Sequence, residues 1–359
     1  MTRCTVTRSA VRRGAVTRGA PTASARVTVA MAAGTVVLLI LFVLHVGVGS
    51  VAISPWDVIL TLTGHAPAPY ESIIIDDIRL PRSLIAPVSG AMLGIAGALI
   101  QSLTRNPLTD PSLTGVSSGA ILAIVSCLAF VPGAVNEPAL LPFAALAGGL
   151  AAVAILYMFT SGLRDGPFVL VLKGVVTGAV LSSASSLILV QNNDKLPTVL
   201  LWLTGSLDAK TWTDWATLWP WALAAIPAGL ACARAGNALE LGDDTAIGLG
   251  YRVRTARATL FAVAAVLTAA AVAVVGAIGF VGLIGPHIAR LLAGHDNRRV
   301  YPLSALVTAN LVLLADLLTQ VAALIGPGIA SAIPVGAVTA LFGAPFFLYL
   351  LARTSSQNT

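Results

Sequence analysis

The chain has 359 residues, 57% hydrophobic and 10% charged, with 21 Lys and Arg against 15 Asp and Glu for a net charge of +6. That leaves too little polar surface to coat a soluble globule of this length, so the composition excludes a water-soluble domain and predicts an all-α, polytopic membrane protein. The positive balance is a topology signal and requires no nucleic-acid partner.

A membrane-crossing helix needs about 20 mainly apolar residues. Residues 1–26 carry Arg3, Arg8, Arg12, Arg13, Arg18 and Arg26 and predict a basic, disordered cytoplasmic tail. The apolar run that follows, 27–49, exceeds the roughly 7–15 residues of a signal-peptide core and has no A-x-A-like cleavage site after it. It is therefore expected to be a retained first helix, with His45 its only ionisable side chain. Further spans are expected near 83–102, 113–131, 142–161, 168–190, 215–233, 258–276, 279–293, 302–322 and 335–351, ten in all. The break within 258–293 is blurred by Gly276, Gly279, Gly282 and Gly285. Residues 27–352 thus form one transmembrane domain, and 353–359 a short cytoplasmic tail.

With the N-terminus inside, 17 of the 21 basic residues face the cytoplasm. Only Arg79, Arg82, Lys195 and Lys210 lie outside, and the six tryptophans gather at the outer face, so both termini are expected to be cytoplasmic. Cys4, Cys127 and Cys232 are isolated, which indicates neither a disulfide framework nor a metal cluster.

Several local patterns carry candidate chemistry. Arg79 and Arg82 in "RLPR" precede the second span, with Pro81 suited to begin it. Their guanidinium forks fit either acidic side chains of a docked protein or lipid phosphates. The loop 104–115, "TRNPLTDPSLTG", carries Asn-Pro and Asp-Pro turn signals. "GVSSG" at 115–119 has the spacing of a nucleophile elbow, yet it opens a membrane helix instead of a strand-turn-helix, so close helix packing explains it better.

The charged strip 236–256 lies on the cytoplasmic side between the sixth and seventh spans. Asp243 and Asp244 suit a helix N-terminus, Gly242 and Gly250 suit the turns around it, and Ala246, Ile247 and Leu249 would form an apolar face. The residues alone fit a short docking helix or a solvated connector equally well. Asp316 is the carboxylate deep within a span, either a proton relay or a hydrogen-bonded tie to a neighbour such as Asn310. The second reading is preferred because no second buried carboxylate accompanies it. His287, after Pro286, is expected to be packed, since one histidine does not make a metal site. Gly90, Gly94 and Gly97, with the later glycine run, predict close and sliding helix contacts. A short echo between 89–101 and 275–287 hints at an inverted repeat.

"LGDDTAIGLG" (241–250), the stretch 79–120, "GAIGFVGLIGPHIARLLAGHDNRR" (276–299), "LADLL" (314–318) and "IPVGAVTALFGAPFFLYLL" (333–351) together resemble the iron-siderophore and cobalamin (FecCD-type) permeases of ABC importers. The resemblance implies a ten-helix permease in a bacterial plasma membrane, paired with a second permease, two cytoplasmic ATPases and an extracytoplasmic substrate-binding protein. It implies docking of that protein at Arg79 and Arg82, and coupling to the ATPase through Gly242, Asp243, Asp244, Ala246, Leu249 and Gly250. The implied cargo is a ferric siderophore, with heme or cobalamin as alternatives; an ion-coupled secondary carrier using Asp316 is the rival class. No catalytic residue, metal site or cofactor is expected in this chain; none of its lysines sits in a Gly-Lys-Ser/Thr phosphate loop, so ATP and Mg belong to the partner. Two positions depart from the family pattern: Gln320, where an arginine is expected, and Ala332, where an acidic residue often precedes the last "PVG".

Overall fold

The computed structural model describes residues 23–134, 137, 139–159, 167–192, 196–325 and 333–355. The expectations for residues 1–22, Arg164, Lys195 and Ala332 lie outside them. Every regular element among the described residues is helical. In chain order these are α1 (Ala23–Gly47), α2 (Pro55–Leu62), α3 (Pro69–Ser72), a π-helical turn (Ile73–Arg79), α4 (Leu80–Thr104), a 3-10 turn (Pro111–Thr114), α5 (Val116–Phe130), α6 (Leu140–Phe159), α7 (Pro167–Gln191) and α8 (Leu196–Thr204). They continue with α9 (Trp212–Ala231), α10 (Ala233–Glu240), α11 (Asp243–Gly248), α12 (Val253–Val275), α13 (Val281–Ala293), α14 (Asn297–Ile325) and α15 (Val335–Ser355).

Among the described residues, six helical stretches are long and apolar enough to cross a bilayer, and α9 with α10, bent by 42°, makes a seventh. Three shorter apolar segments, in α5, α13 and α15, complete ten positions that coincide with the expected spans. The second span differs in one respect: helix runs without a break from Pro69 to Thr104. Pro81 stands in the first turn of its α-helical part, α4, after a π-helical lead-in. The wider π turn over Ile73–Arg79 leads the chain into Pro81, which has no amide to donate to the preceding turn.

α4 is the hub, packed by α14, α12, α13 and α9. Absence of side chains makes this possible. A Cβ added to Gly97 would lie 1.8 Å from the Gly282 carbonyl oxygen of α13, and one added to Gly94 would lie 2.1 Å from Thr308 Oγ1 of α14. α5 and α6 meet in the same way at Gly119 and Gly148. The expected glycine stripes are thus the contact lines of the bundle. By contrast α1, α7 and α15 turn Leu39, Leu187, Val190, Leu341 and Leu348 outward, an apolar exterior suited to lipid or to another subunit.

Three non-helical breaks converge and satisfy one another, as backbone at membrane depth must. Ala277 N donates to Trp202 O at 2.9 Å, Ser206 N to Val275 O at 2.9 Å, and Gly336 N to Gly205 O at 3.2 Å. The division between the seventh and eighth spans falls here, at Gly276–Phe280, where Gly276 (φ 74°) and Phe280 (φ 65°) both have left-handed backbone.

Candidate functional site

Two polar clusters lie at opposite ends of the bundle. The first surrounds a cavity of about 580 Å³ at the N-terminal end of α4, lined by side chains of α1, α4, α14 and the α8–α9 loop. Asp316 of α14 is fully buried behind the lining residues His45, Arg82 and Gln320. Its two oxygens accept from Arg82 Nε and Nη2, at 2.7 Å each, and Oδ2 also lies 2.7 Å from His45 Nε2 of α1. The carboxylate holds the imidazole proton on Nε2, which leaves Nδ1 to accept from the Ser83 hydroxyl at 2.7 Å. The Gln320 carboxamide sits 2.8 Å from the same Nε2.

The preferred reading of Asp316 as a tie to a neighbouring helix fits this geometry, but the neighbour differs. Asn310, the suggested partner, instead donates to the Gly34 and Leu306 carbonyls. A carboxylate at this depth needs charge compensation as well as a hydrogen bond; Arg82 supplies the charge and His45 adds a hydrogen bond. His45 and Asp316 are 271 positions apart. The signal that joins them was visible: each is a lone ionisable group in an otherwise apolar span.

The two arginines of "RLPR" do different work. Arg79 Nη1 donates to the Val46 and Gly47 carbonyls at 2.8 and 2.9 Å, closing the open C-terminal end of α1. Arg82 keeps a second edge toward the cavity, where Asp208 Oδ1 lies 3.2 Å from Nη1. Lys210, on the same loop, rests its ammonium 5.3 Å from the Trp202 ring centroid. Burial pushes that ammonium below its ordinary range, opposed by Asp214 and Asp208.

The second cluster is the charged strip. Asp243 accepts from Arg257 Nη2 of α12 at 2.9 and 2.8 Å and from Arg105, whose Nε donates to Leu239 O at 2.6 Å. Gly242 (φ 109°) and Gly250 (φ 85°) bound α11 with left-handed backbone and open space around them, so they serve its turns and not its packing. The expected apolar face is divided. Ala246 packs inward and is fully buried, whereas Ile247 and Leu249 are 60% and 59% exposed. Asp244 is exposed as well.

α10 ties this strip to the core. Asn237 donates to Asp296 Oδ1 at 2.8 Å and accepts from Asn297 N at 2.8 Å, and Asn297 donates to Glu240 at 3.1 Å. Arg290 lies 3.6 Å from Glu240 and also reaches Gln101. The hydrogen bond from Asn237 holds the Asp296 carboxyl below its usual range. His287 packs edge-on against Phe346 at 5.7 Å. Among the described residues no group of three or more metal-ligating side chains occurs. Ser118 of "GVSSG" accepts from Ser182 at 3.1 Å, a contact between α5 and α7.

Among the described residues, a ten-segment helical bundle with small-residue contacts, mutually satisfied breaks and polar clusters at its two ends defines the class: a polytopic transport subunit. The chain belongs to the FecCD transport family, which matches residues 37–353. It is 37% identical over 321 residues to the Fe(3+)-citrate import system permease protein YfmE of Bacillus subtilis, covering 88% of this chain and 92% of that one. It is 36% identical over 306 residues to the cobalamin import system permease protein BtuC of Halobacterium salinarum, covering 83% and 79%. A metal-chelate type ABC transporter, solved in an inward-facing conformation, matches its fold with a TM-score of 0.78 at 28% identity, over 91% of this chain and 99% of that one.

Proposed function

We propose that the chain is the permease subunit of an ATP-driven importer that carries a ferric iron chelate across the bacterial plasma membrane, with both termini cytoplasmic. The observation that carries this reading is the likeness to Fe(3+)-citrate permeases over nearly the whole of both chains. The cavity face is then outward, where a substrate-binding protein docks at the Arg79–Arg82 corner, Arg82 making the contact and Arg79 holding α1 beneath it. The strip face is cytoplasmic. There Asp244 and Ile247 of α11, with Leu249 just after it, meet the ATPase, while Asp243 and Ala246 fasten α11 to the bundle, so that ATPase closure moves α4, α12 and α10 together. The outward apolar surfaces of α7 and α15 suit a second permease, with lipid around the rest.

Mechanistically the chain moves no covalent bonds. Iron travels inside its chelator, and ATP and Mg act in the partner. Cobalamin is the second reading, favoured by the similarity to the Halobacterium permease. The test is ATP hydrolysis in proteoliposomes holding this chain, its ATPase and its binding protein, offered ferric citrate, ferric siderophores, heme and cobalamin in turn. One iron chelate should stimulate hydrolysis, and Ile247→Asp with Leu249→Asp should abolish the stimulation without unfolding the permease. Stimulation by cobalamin alone would transfer the assignment to the second reading. Gradient-driven uptake with no ATPase assembly would remove the ABC reading.

A further inference from the structure

An arginine can offer two edges to carboxylates, a side-on edge (Nε and one Nη) and an end-on edge (both Nη). The side-on edge of Arg82 is filled by Asp316, at 2.7 Å on both nitrogens. Of the end-on edge, Nη1 is not engaged by Asp316 and meets Asp208 Oδ1 at 3.2 Å, and both residues line the cavity. These two carboxylates are unlike. Asp316 is 0% exposed and also bound by His45, whereas Asp208 is 69% exposed and stands on the α8–α9 loop, next to Ala209 with its left-handed φ of 53°. Arg82 itself is 20% exposed, so its end-on edge is reachable from outside. Lys210, two positions from Asp208, lines the same cavity and offers a second cation if Asp208 lets go.

We infer that Asp208 is an internal competitor for docking: it occupies the end-on edge of Arg82 that a carboxylate of the substrate-binding protein takes over. Docking then exchanges one carboxylate for another, while Asp316 keeps the guanidinium aimed throughout. The inference rests on the docking reading above. A competitor of this kind lowers apparent affinity by the fraction of time that it leaves the edge free. For an ion pair this exposed, that amounts to about a two- to sixfold loss.

The test uses the complete importer in nanodiscs and measures equilibrium binding of the loaded binding protein. Asp208→Asn should tighten binding by about two- to sixfold. Asp208→Glu, which keeps the competing charge, should bind like the native protein. In an Arg82→Lys or Arg82→Gln background, which lacks the end-on fork, the gain from Asp208→Asn should vanish. Asp77→Asn, which removes an exposed charge from the same face, should act equally in both backgrounds. Unchanged or weaker binding by Asp208→Asn overturns the inference, as does a gain that persists without Arg82. If Arg82→Gln and Arg82→Lys both fold and bind like the native protein, the docking reading itself fails, an outcome distinct from failure of the competitor alone.

Discussion

Asp316 and Asp243 are both aspartates held by arginines, at opposite ends of one bundle. Asp316 is fully enclosed between α1, α4 and α14, and Asp243 is 42% exposed between α11, α12 and the loop after α4. Coulomb's law treats the pairs alike, but the surroundings do not. Near water the attraction is screened and broken pairs are resolvated, whereas in the interior an orphaned charge has nothing to replace its partner. The cavity cluster is therefore a rigid fixture, and the strip cluster is a clasp able to loosen.

The contrast is sharpest when one partner is removed. Asp316→Asn removes the buried counter-charge of Arg82 and leaves it only the exposed Asp208, and the expected cost is about 3–5 kcal/mol, read as a fall in melting temperature in detergent. Replacing Arg82 and Asp316 together by Met and Leu should recover much of that loss. If the single change costs no more than a surface substitution, the buried pair does not fasten these helices.

Asp243→Asn should cost ~1 kcal/mol or less by the same measurement, and its effect should shrink as salt rises. Coupling should suffer more than stability, because Arg105 and Arg257 lose their common anchor. A stability loss equal to that of Asp316→Asn would erase the distinction between the two clusters.

The smallest effect expected is that of pH on the strip face. Asp296 titrates below its ordinary 3.8 because Asn237 donates to it. A depressed carboxylate pKa contributes stability that is present above the unfolded value and is lost as pH falls through the folded one. Hydrogen exchange in α10 should therefore accelerate below about pH 4 in the native protein, and Asn237→Ala should lose that acid-sensitive component. Equal acid sensitivity in both would separate Asp296 from the tie.

Much of the architecture was legible because the bilayer imposes a simple code. Length and apolarity of a run specify a span, and the ten expected spans lie where the helices stand. The glycines of α4 announced close contacts, and the charged strip announced an element outside the bilayer. α2 was legible in principle, since Pro55 stands at its first turn and Ser54 accepts from Asp57 N at 3.2 Å, the signature of a capped helix start. It escapes a search tuned to long apolar runs because it has only eight residues. The inward turn of Ala246 beside the outward turn of Ile247 depends on how α11 seats against its neighbours, which local periodicity does not encode.

The sequence by itself determined the class of protein, the number and order of its membrane segments, and the family to which it belongs. These follow from composition and local pattern, which act over one helix at a time. Only the tertiary structure decided that Arg79 closes α1, that Arg82 holds Asp316, that His45 completes the pair from 271 positions away, and that Asp208 stands at the remaining edge of Arg82. The physical reason is that a buried charge selects its partner from whatever the packed helices bring within about 3 Å, and no spacing along the chain records that choice.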